Sequence, residues 1–305
     1  MRKKREPNAL PAVHDALLSI VFGMGAIACV LPILLIVMIS VSDEGMIREY
    51  GYRFLPKRFS IASYRFLLRD VSLVAQAYGV TLAVTAIGTV GNTAINALYA
   101  YVISRRDFPW RRAFSLVVLV TLLFSGGMAP FYYVYVNLLH VKNTLWALIL
   151  PGFSLGFNVF IMRTFFQQNF TNEVIESSRI DGAGELRTFV QIVLPMSLPI
   201  LATVALFSAI FYWNDFFNSM LFIEKQRLMN LQFTMQRALM NLEFLKSNLS
   251  RLGGSTSSVM ESMSEIPSEG VRMAMVIIGI GPIVLAYPFL QRFFIKGLTI
   301  GAVKG

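Results

Sequence analysis

The chain has 305 residues, 55% of them hydrophobic and only 14% charged, with a formal net charge of +10 from 27 Lys and Arg against 17 Asp and Glu. A soluble domain carries about 25% charge, so the composition argues against a soluble enzyme and for a membrane protein. One cysteine and two histidines exclude an intrachain disulfide and a cysteine- or histidine-built metal centre, and no metal is expected.

Residues 1–15 carry the cluster Arg2-Lys3-Lys4-Arg5. The first uncharged run, Ala16–Ser42, is longer than the about 7–15 residues of a cleaved signal and is expected to stay as an anchor. Cys29 lies inside it and reads as a small apolar filler. An outer loop over 43–70 follows, with Pro56 and several aromatic residues, and is expected against the outer interface or on neighbouring spans. Val71–Ser104 is the second run; Arg105, Arg106, Arg111 and Arg112 follow it, with Pro109 marking a turn. Ala113–Leu139 is the third run, His140–Asn143 a tight outer turn, and Asn143–Met162 the fourth run. A polar insert occupies 167–195, and Thr188–Asn214 is the fifth run. The outer segment 224–271 starts with helical periodicity (LMNLQFTMQRALMNLEFL) and continues through the Gly/Ser/Met-rich stretch GGSTSSVMESMSE. Met273–Gln291 is the sixth run, and 296–305 form a tail.

Each run reaches or nearly reaches the about 20 residues that cross about 30 Å of hydrocarbon as a helix. Lipid offers the backbone no hydrogen-bond partners, so helices are expected, and the strand alternation of a barrel is absent. The expected fold is an all-α polytopic membrane protein with six transmembrane helices in one domain, 1–305. Lys and Arg stay on the cytoplasmic side. Their overall tally is nearly even between the two faces, but the tight clusters abut span ends on one side, which places the N- and C-termini in the cytoplasm. Pro32, Pro130, Pro151, Pro195, Pro199, Pro282 and Pro288 fall in or at the ends of spans and predict bent helices.

Two absences narrow the function. No Gly-Lys pair occurs, so there is no P-loop and no ATPase site of this type. The spans hold almost no carboxylates or lysines, which an ion-coupled carrier shows at mid-depth. Asp215, in YWNDFF, is the nearest candidate and reads as a helix-end residue. The alternative of an ion-coupled secondary sugar carrier is therefore the weaker one.

The insert carries the sharpest local signal. Thr171 or Asn172 is suited to cap a helix starting at Glu173. Asp181-Gly182 and Gly184 read as stops in the left-handed conformation. A second amphipathic helix is expected from Glu185, with Leu186, Phe189, Ile192 and Val193 on its apolar side and Leu194-Pro195 as the hand-over to the fifth span. The small residues Ser177, Ser178, Gly182, Ala183 and Gly184 favour docking into a protein groove over a lipid surface.

The pattern Glu176-Ser177-Ser178, Asp181-Gly182-Ala183, Phe189, Ile192 and Leu194-Pro195 resembles the EAA loop of the membrane subunits of bacterial ABC importers. Ser-Ser replaces the usual Ala-Ala. The tail QRFFIKGLTIGAVKG, with WNDFFNSMLFI and IPSEGVRMAM, is similar to the maltose-type carbohydrate-uptake permeases, closest to those for oligosaccharides and polysaccharide fragments. The resemblance implies a type I ABC importer permease in the bacterial plasma (inner) membrane. It implies that Glu176, Ser177, Ser178, Asp181, Gly182 and Ala183, in the coupling helix 173–184, meet a cytoplasmic ATPase, supported by Phe189, Ile192, Leu194 and Pro195. It further implies a tail contact with the ATPases through Lys296, Gly297 and Lys304. The implied partners are a homologous second permease, two ATPases that bind ATP and Mg, an extracytoplasmic sugar-binding protein and the lipid bilayer, with no nucleic acid and no cofactor in this chain. For the sugar, Tyr132, Tyr133 and Tyr135 in MAPFYYVYVNLL and Asn214 are the candidate contacts; a membrane-interface aromatic belt is the favoured reading of the tyrosines. The basic charge raises an acidic substrate such as a uronate oligomer.

Overall fold

The structure, a computed structural model, describes residues 12–170, 177, 178, 180, 182–252 and 268–284. Among them the regular structure is helical, apart from an antiparallel bridge between Ser42 and Phe59. The chain groups into two compact units, 1–69 with 241–279 and 70–240 with 280–305.

In the first unit, α1 (Ala12–Ser40) follows the first apolar run with Pro32 inside it. Leu17, Phe22, Ile27 and Ile33 are exposed along it, as befits a helix whose surroundings are apolar. Cys29 is exposed as well, which corrects its expected role: no core surrounds it to be filled. α2 (Glu44–Tyr50) starts where the Asp43 carboxylate accepts the N–H groups of Gly45 and Met46, at 3.1 and 3.3 Å. α3 (Ala62–Leu67) follows the bridge, which the Asp43 and Ser60 N–H groups close onto the Arg58 and Val41 carbonyls.

The 43–70 segment also builds a cap for a helix far along the chain. Glu44 Oε1 accepts from Ser268 Oγ at 3.0 Å and Glu269 N–H at 3.2 Å, and Oε2 accepts from Gly270 N–H at 3.0 Å. These donors open the helix 269–284, so a carboxylate sits at the positive end of its dipole. Burial pushes the Glu44 carboxyl up, but the N–H groups of Gly270, Ser268 and Glu269 outweigh it and hold the group below its usual range. A Cβ on Gly270 would collide with Ser63 Oγ, so the approach needs glycine.

In the second unit, α4 (Val71–Ser104) has 34 residues, about 51 Å at 1.5 Å per residue, and Asp70 caps its start by accepting from Leu73 N–H. α5 (Arg111–Leu123), α6 (Met128–Tyr133), α7 (Trp146–Ile149) and α8 (Gly156–Asn169) follow. Beyond the insert come α9 (Glu185–Thr188), α10 (Leu198–Asn214), α11 (Phe217–Phe222) and α12 (Leu231–Leu252), whose residues from 241 on count with the first unit. The last of these supplies the helix expected from the LMNLQFTMQ periodicity.

α8 and α10 both pack along α4. Small residues let them approach: a Cβ on Gly88 of α4 would lie 2.5 Å from the Tyr212 ring of α10, and one on Gly152 would lie 2.6 Å from the same ring. Buried polar groups then pin the crossing. Asn92 Oδ1 accepts from Asn158 Nδ2 at 3.2 Å and from Ser208 Oγ at 2.5 Å, joining α4, α8 and α10. Asn92 Nδ2 donates to the Gly152 carbonyl and Tyr212 OH to that of Ile149. Where water is absent, such groups are costly unless they satisfy each other.

Among the described residues, two helical runs, Ala16–Ser40 and Ala62–Ser104, are long and apolar enough to cross a membrane. The third, fourth and fifth apolar runs are broken rather than straight. Arg111–Leu123 turns by 114° into Met128–Leu138, Trp146–Gly152 by 46° into Gly156–Asn169, and Glu185–Met196 by 82° into Leu198–Asn214. The breaks coincide with Gly126-Gly127 and Pro130, with Pro151-Gly152, and with Pro195 and Pro199 flanking the non-helical Ser197. The sixth run is helical from its start to 284, and its remainder lies outside the described residues. The turn after α6 is tight, with His140 and Asn143 both at positive φ.

Candidate functional site

Within the insert, Ser177, Ser178 and Ile180 are helical, and Gly182 follows at φ +77°. The Ala183 N–H donates to the Ser178 carbonyl at 2.9 Å, five residues back. A left-handed glycine with this 6→1 bond is the Schellman helix stop. A Cβ on Gly182 would meet nothing within 4 Å, so the glycine serves backbone conformation and not close packing. Gly184 behaves otherwise. Its φ of −71° and ψ of 164° are open to any residue, which corrects its reading as a left-handed stop; it precedes α9 as the N-cap. Glu176 and Asp181, and the helix start expected at Glu173, lie outside the described residues, as do Lys296, Gly297 and Lys304.

Ser177 and Ser178 part company. Ser177 is exposed, whereas Ser178 is 3% exposed and its Oγ lies 3.1 Å from Thr188 Oγ1, itself buried on α9. The second serine therefore bonds within the chain and fastens the two halves of the corner together. Ile180 and Leu186 stand on the outside, 86% and 74% exposed. Leu186 thus departs from the expected apolar side. Phe189 and Val193 are buried, Ile192 and Leu194 half-buried, and Pro195 exposed. A π-turn runs over Phe189–Val193, in which the Leu194 N–H reaches the Phe189 carbonyl. Pro195, next in line, has no N–H to continue the ladder, and the wider turn shifts the register just ahead of it.

The corner is held from the loop after α4. Arg105, C-cap residue of α4 and 8% exposed, forks onto Asp107, with Nε to Oδ1 at 3.0 Å and Nη2 to Oδ2 at 2.8 Å. Its Nη1 donates to Tyr101 OH at 3.1 Å, and Nη2 lies 3.4 Å from Glu185 Oε1. Tyr101 OH donates to Glu185 Oε2 at 3.0 Å, and the Tyr101 and Phe189 rings sit 5.0 Å apart. The hydrogen bond to Asp107 raises the Arg105 guanidinium further above its already high range, against burial, so it is permanently charged. In the sequence Arg105 stands only as a topology charge; its contact with Glu185, 80 residues away, follows from no local pattern.

Of the candidate sugar contacts, Tyr132 and Tyr135 meet on one ring, whereas Tyr133 and Asn214 show no contact with them. Tyr132 stacks on Phe222 at 6.0 Å with rings 9° from parallel, and Tyr135 packs on the same ring at 5.5 Å. Tyr133 is exposed, and Asn214 Nδ2 donates to the Ile210 carbonyl one turn back. Asp215 ends α10 and accepts from the N–H and Nδ2 of Asn218, at 3.1 and 3.0 Å, which is the arrangement of a helix-end residue. Among the described residues no group of three or more His, Cys, Asp or Glu is placed to hold a metal ion.

Comparison with known proteins places this loop in context. Residues 109–300 match the family model described as binding-protein-dependent transport system inner membrane component. The polygalacturonan/rhamnogalacturonan transport system permease protein YtcP of Bacillus subtilis (strain 168) is 34% identical over 92% of this chain and 95% of its own length. Protein LplC of the same organism is 35% identical over 93% of this chain and 92% of its own length. Among solved structures, a crystal structure of a bacterial ABC transporter involved in the import of the acidic polysaccharide alginate includes a chain of like fold. That chain has a TM-score of 0.75 and 24% identity, covering 95% of this chain and 100% of its own. The matched segment contains the whole insert and its Schellman corner, and the chain belongs to the binding-protein-dependent inner membrane components, the permease subunits of ABC importers.

Proposed function

We propose that this chain forms half of the translocation pathway of an ATP-driven importer for a fragment of an acidic polysaccharide, a uronate oligomer. The observation that carries the coupling half of this reading is the exposed corner at Gly182, stopped by its own hydrogen bond and fastened from behind through Ser178–Thr188. A corner so built is suited to enter a groove of a cytoplasmic ATPase. Glu176 and Asp181 would supply its carboxylates, and charge-assisted hydrogen bonds that these accept are each worth about 1.5–3 kcal/mol. ATP and Mg bind on the two ATPases. A second, homologous permease completes the pathway and an extracytoplasmic binding protein delivers the sugar. The chain would make six spans as one permease domain in the bacterial inner membrane, with both termini in the cytoplasm and the tail residues Lys296, Gly297 and Lys304 beside the ATPases.

The acidic-sugar part rests on the relatives. One is named for polygalacturonan and rhamnogalacturonan transport, and the like-folded chain comes from an alginate importer. Tyr132, Tyr133, Tyr135 and Asn214 remain the proposed sugar contacts. The test is uptake of radiolabelled trigalacturonate and of maltotriose by the importer reconstituted with its binding protein. Trigalacturonate enters and unlabelled maltotriose does not compete. Import of maltotriose without import of trigalacturonate overturns the acidic assignment.

A further inference from the structure

We propose that Arg105 is the positioning residue that ties the coupling corner to the end of α4, with Asp107 as its fixed partner and Glu185 as the leg that loop movement makes and breaks. The proposal rests on the permease reading above and adds to it the route by which loop displacement reaches the spans.

Three residues converge on one guanidinium. Asp107 takes two of its nitrogens side-on, the geometry an Arg fork matches and a lysine does not. Glu185 shares Nη2 with Asp107, but at 3.4 Å against 2.8 Å. Asp107 therefore holds the guanidinium whether or not Glu185 is present. The Glu185 side chain is 55% exposed, so its bond is weak and screened, and a modest pull can open it. Tyr101 closes the ring of contacts, accepting from Arg105 and donating to the other Glu185 oxygen. Its ring against Phe189 keeps α9 seated beneath α4 when the ionic leg is open.

The mechanical consequence follows from where these groups sit. Glu185 and Phe189 bracket α9, directly after the corner at Gly182. Arg105 and Tyr101 belong to the last turn of α4, the helix along which α8 and α10 both pack. A displacement of the corner is thus delivered to the end of the central helix through two short contacts, without passing along the bent path from α9 to α10. A rigid helix with an ionic tie at its end is a physical link of the kind that carries coupling between sites.

The test uses the whole importer (this chain, its partner permease, the ATPases and the binding protein) in proteoliposomes, with trigalacturonate uptake and ATP hydrolysis measured on one preparation. Glu185→Gln lowers the number of sugars carried per ATP by about three- to tenfold, within the range that single positions on a coupling route produce. Arg105→Gln lowers it at least as much, Arg105→Lys falls between Gln and wild type, and the double Gln variant is no worse than Arg105→Gln alone. A second readout needs no sugar. Spin labels at Arg106→Cys and Leu186→Cys in a Cys29→Ala background give a narrow distance distribution that Glu185→Gln broadens. A wild-type ratio of uptake to hydrolysis in Glu185→Gln, a wild-type distance distribution in it, or additive loss in the double variant each overturns the proposal. Where Arg105→Gln fails to assemble, the half-exposed Glu185 decides. If wild-type complex shows no ATP-dependent uptake of any sugar, the permease reading falls and the tie with it, whereas a coupled wild type with an indifferent Glu185→Gln removes the tie alone.

Discussion

Gly182→Ala isolates the conformational demand of the corner at Gly182. At φ +77° an L-residue brings its Cβ against the following carbonyl, at about 1–2 kcal/mol. No steric contribution adds to this, since a Cβ there meets nothing within 4 Å. The cost falls on one local equilibrium, closure of the Ala183 N–H onto the Ser178 carbonyl. A penalty of about 1–2 kcal/mol raises the open population about 5- to 30-fold. Amide hydrogen exchange reads this directly: protection of Ala183 falls by that factor, while amides in α4 and α10 keep theirs. Gly182→Asn, which tolerates the left-handed region better, loses less. Unchanged exchange at Ala183 in Gly182→Ala refutes the reasoning, and so does equal loss of protection in the long helices, which would make the glycine a global packing residue.

Gly88→Ala behaves in the opposite way, because its Cβ would lie 2.5 Å from the buried Tyr212 ring; overpacking of about 1–3 kcal/mol lowers the melting temperature in detergent, and Tyr212→Leu in the same chain restores part of it. Failure of Gly88→Ala to destabilise contradicts the close helix approach. Ser178→Ala leaves the buried Thr188 hydroxyl short of a partner at about 1–2 kcal/mol, and adding Thr188→Val costs less than the sum of the single changes; an additive double variant contradicts the bond between them. Glu44→Ala removes the acceptor for three donors at 268–270, about 1–3 kcal/mol at neutral pH. The folded-state pKa of Glu44 lies below the reference 4.5, so its contribution is present above about that pH and fades as pH falls further. The stability gap between wild type and Glu44→Ala therefore shrinks in acid, and a gap independent of pH rules this cap out.

The divide between what the residues show in order and what folding adds is visible at particular positions. Uncharged runs and the glycine corner are local properties, so the helical class and the stop at Gly182 are legible directly. The 114° and 82° breaks were signalled only by prolines and glycines, because the angle of a break depends on what packs on each side. The buried face beside the corner is set by Thr188 and Phe189, which leaves Leu186 outside it, and the π-turn over Phe189–Val193 is a feature that a regular 3.6-residue count cannot show. Ser178 was one of two equivalent small residues until Thr188 came back to meet it. Glu44 looked like one acid in a loop; its donors are more than 220 residues on, and only the folded chain joins them. At the candidate site, the sequence pattern marks the corner, whereas the contacts of Arg105 and Tyr101 with Glu185 join segments 80 or more residues apart.

The central claim is that this chain moves sugar on another subunit's ATP. Its most direct measurement is trigalacturonate uptake by proteoliposomes holding the two permeases and the binding protein, with and without the ATPases, and with the Glu176→Lys variant. Uptake that requires both ATP and the ATPases, and that Glu176→Lys abolishes while the subunit stays in the membrane, is the predicted result. Uptake driven by a proton or sodium gradient with no ATPase present would contradict it.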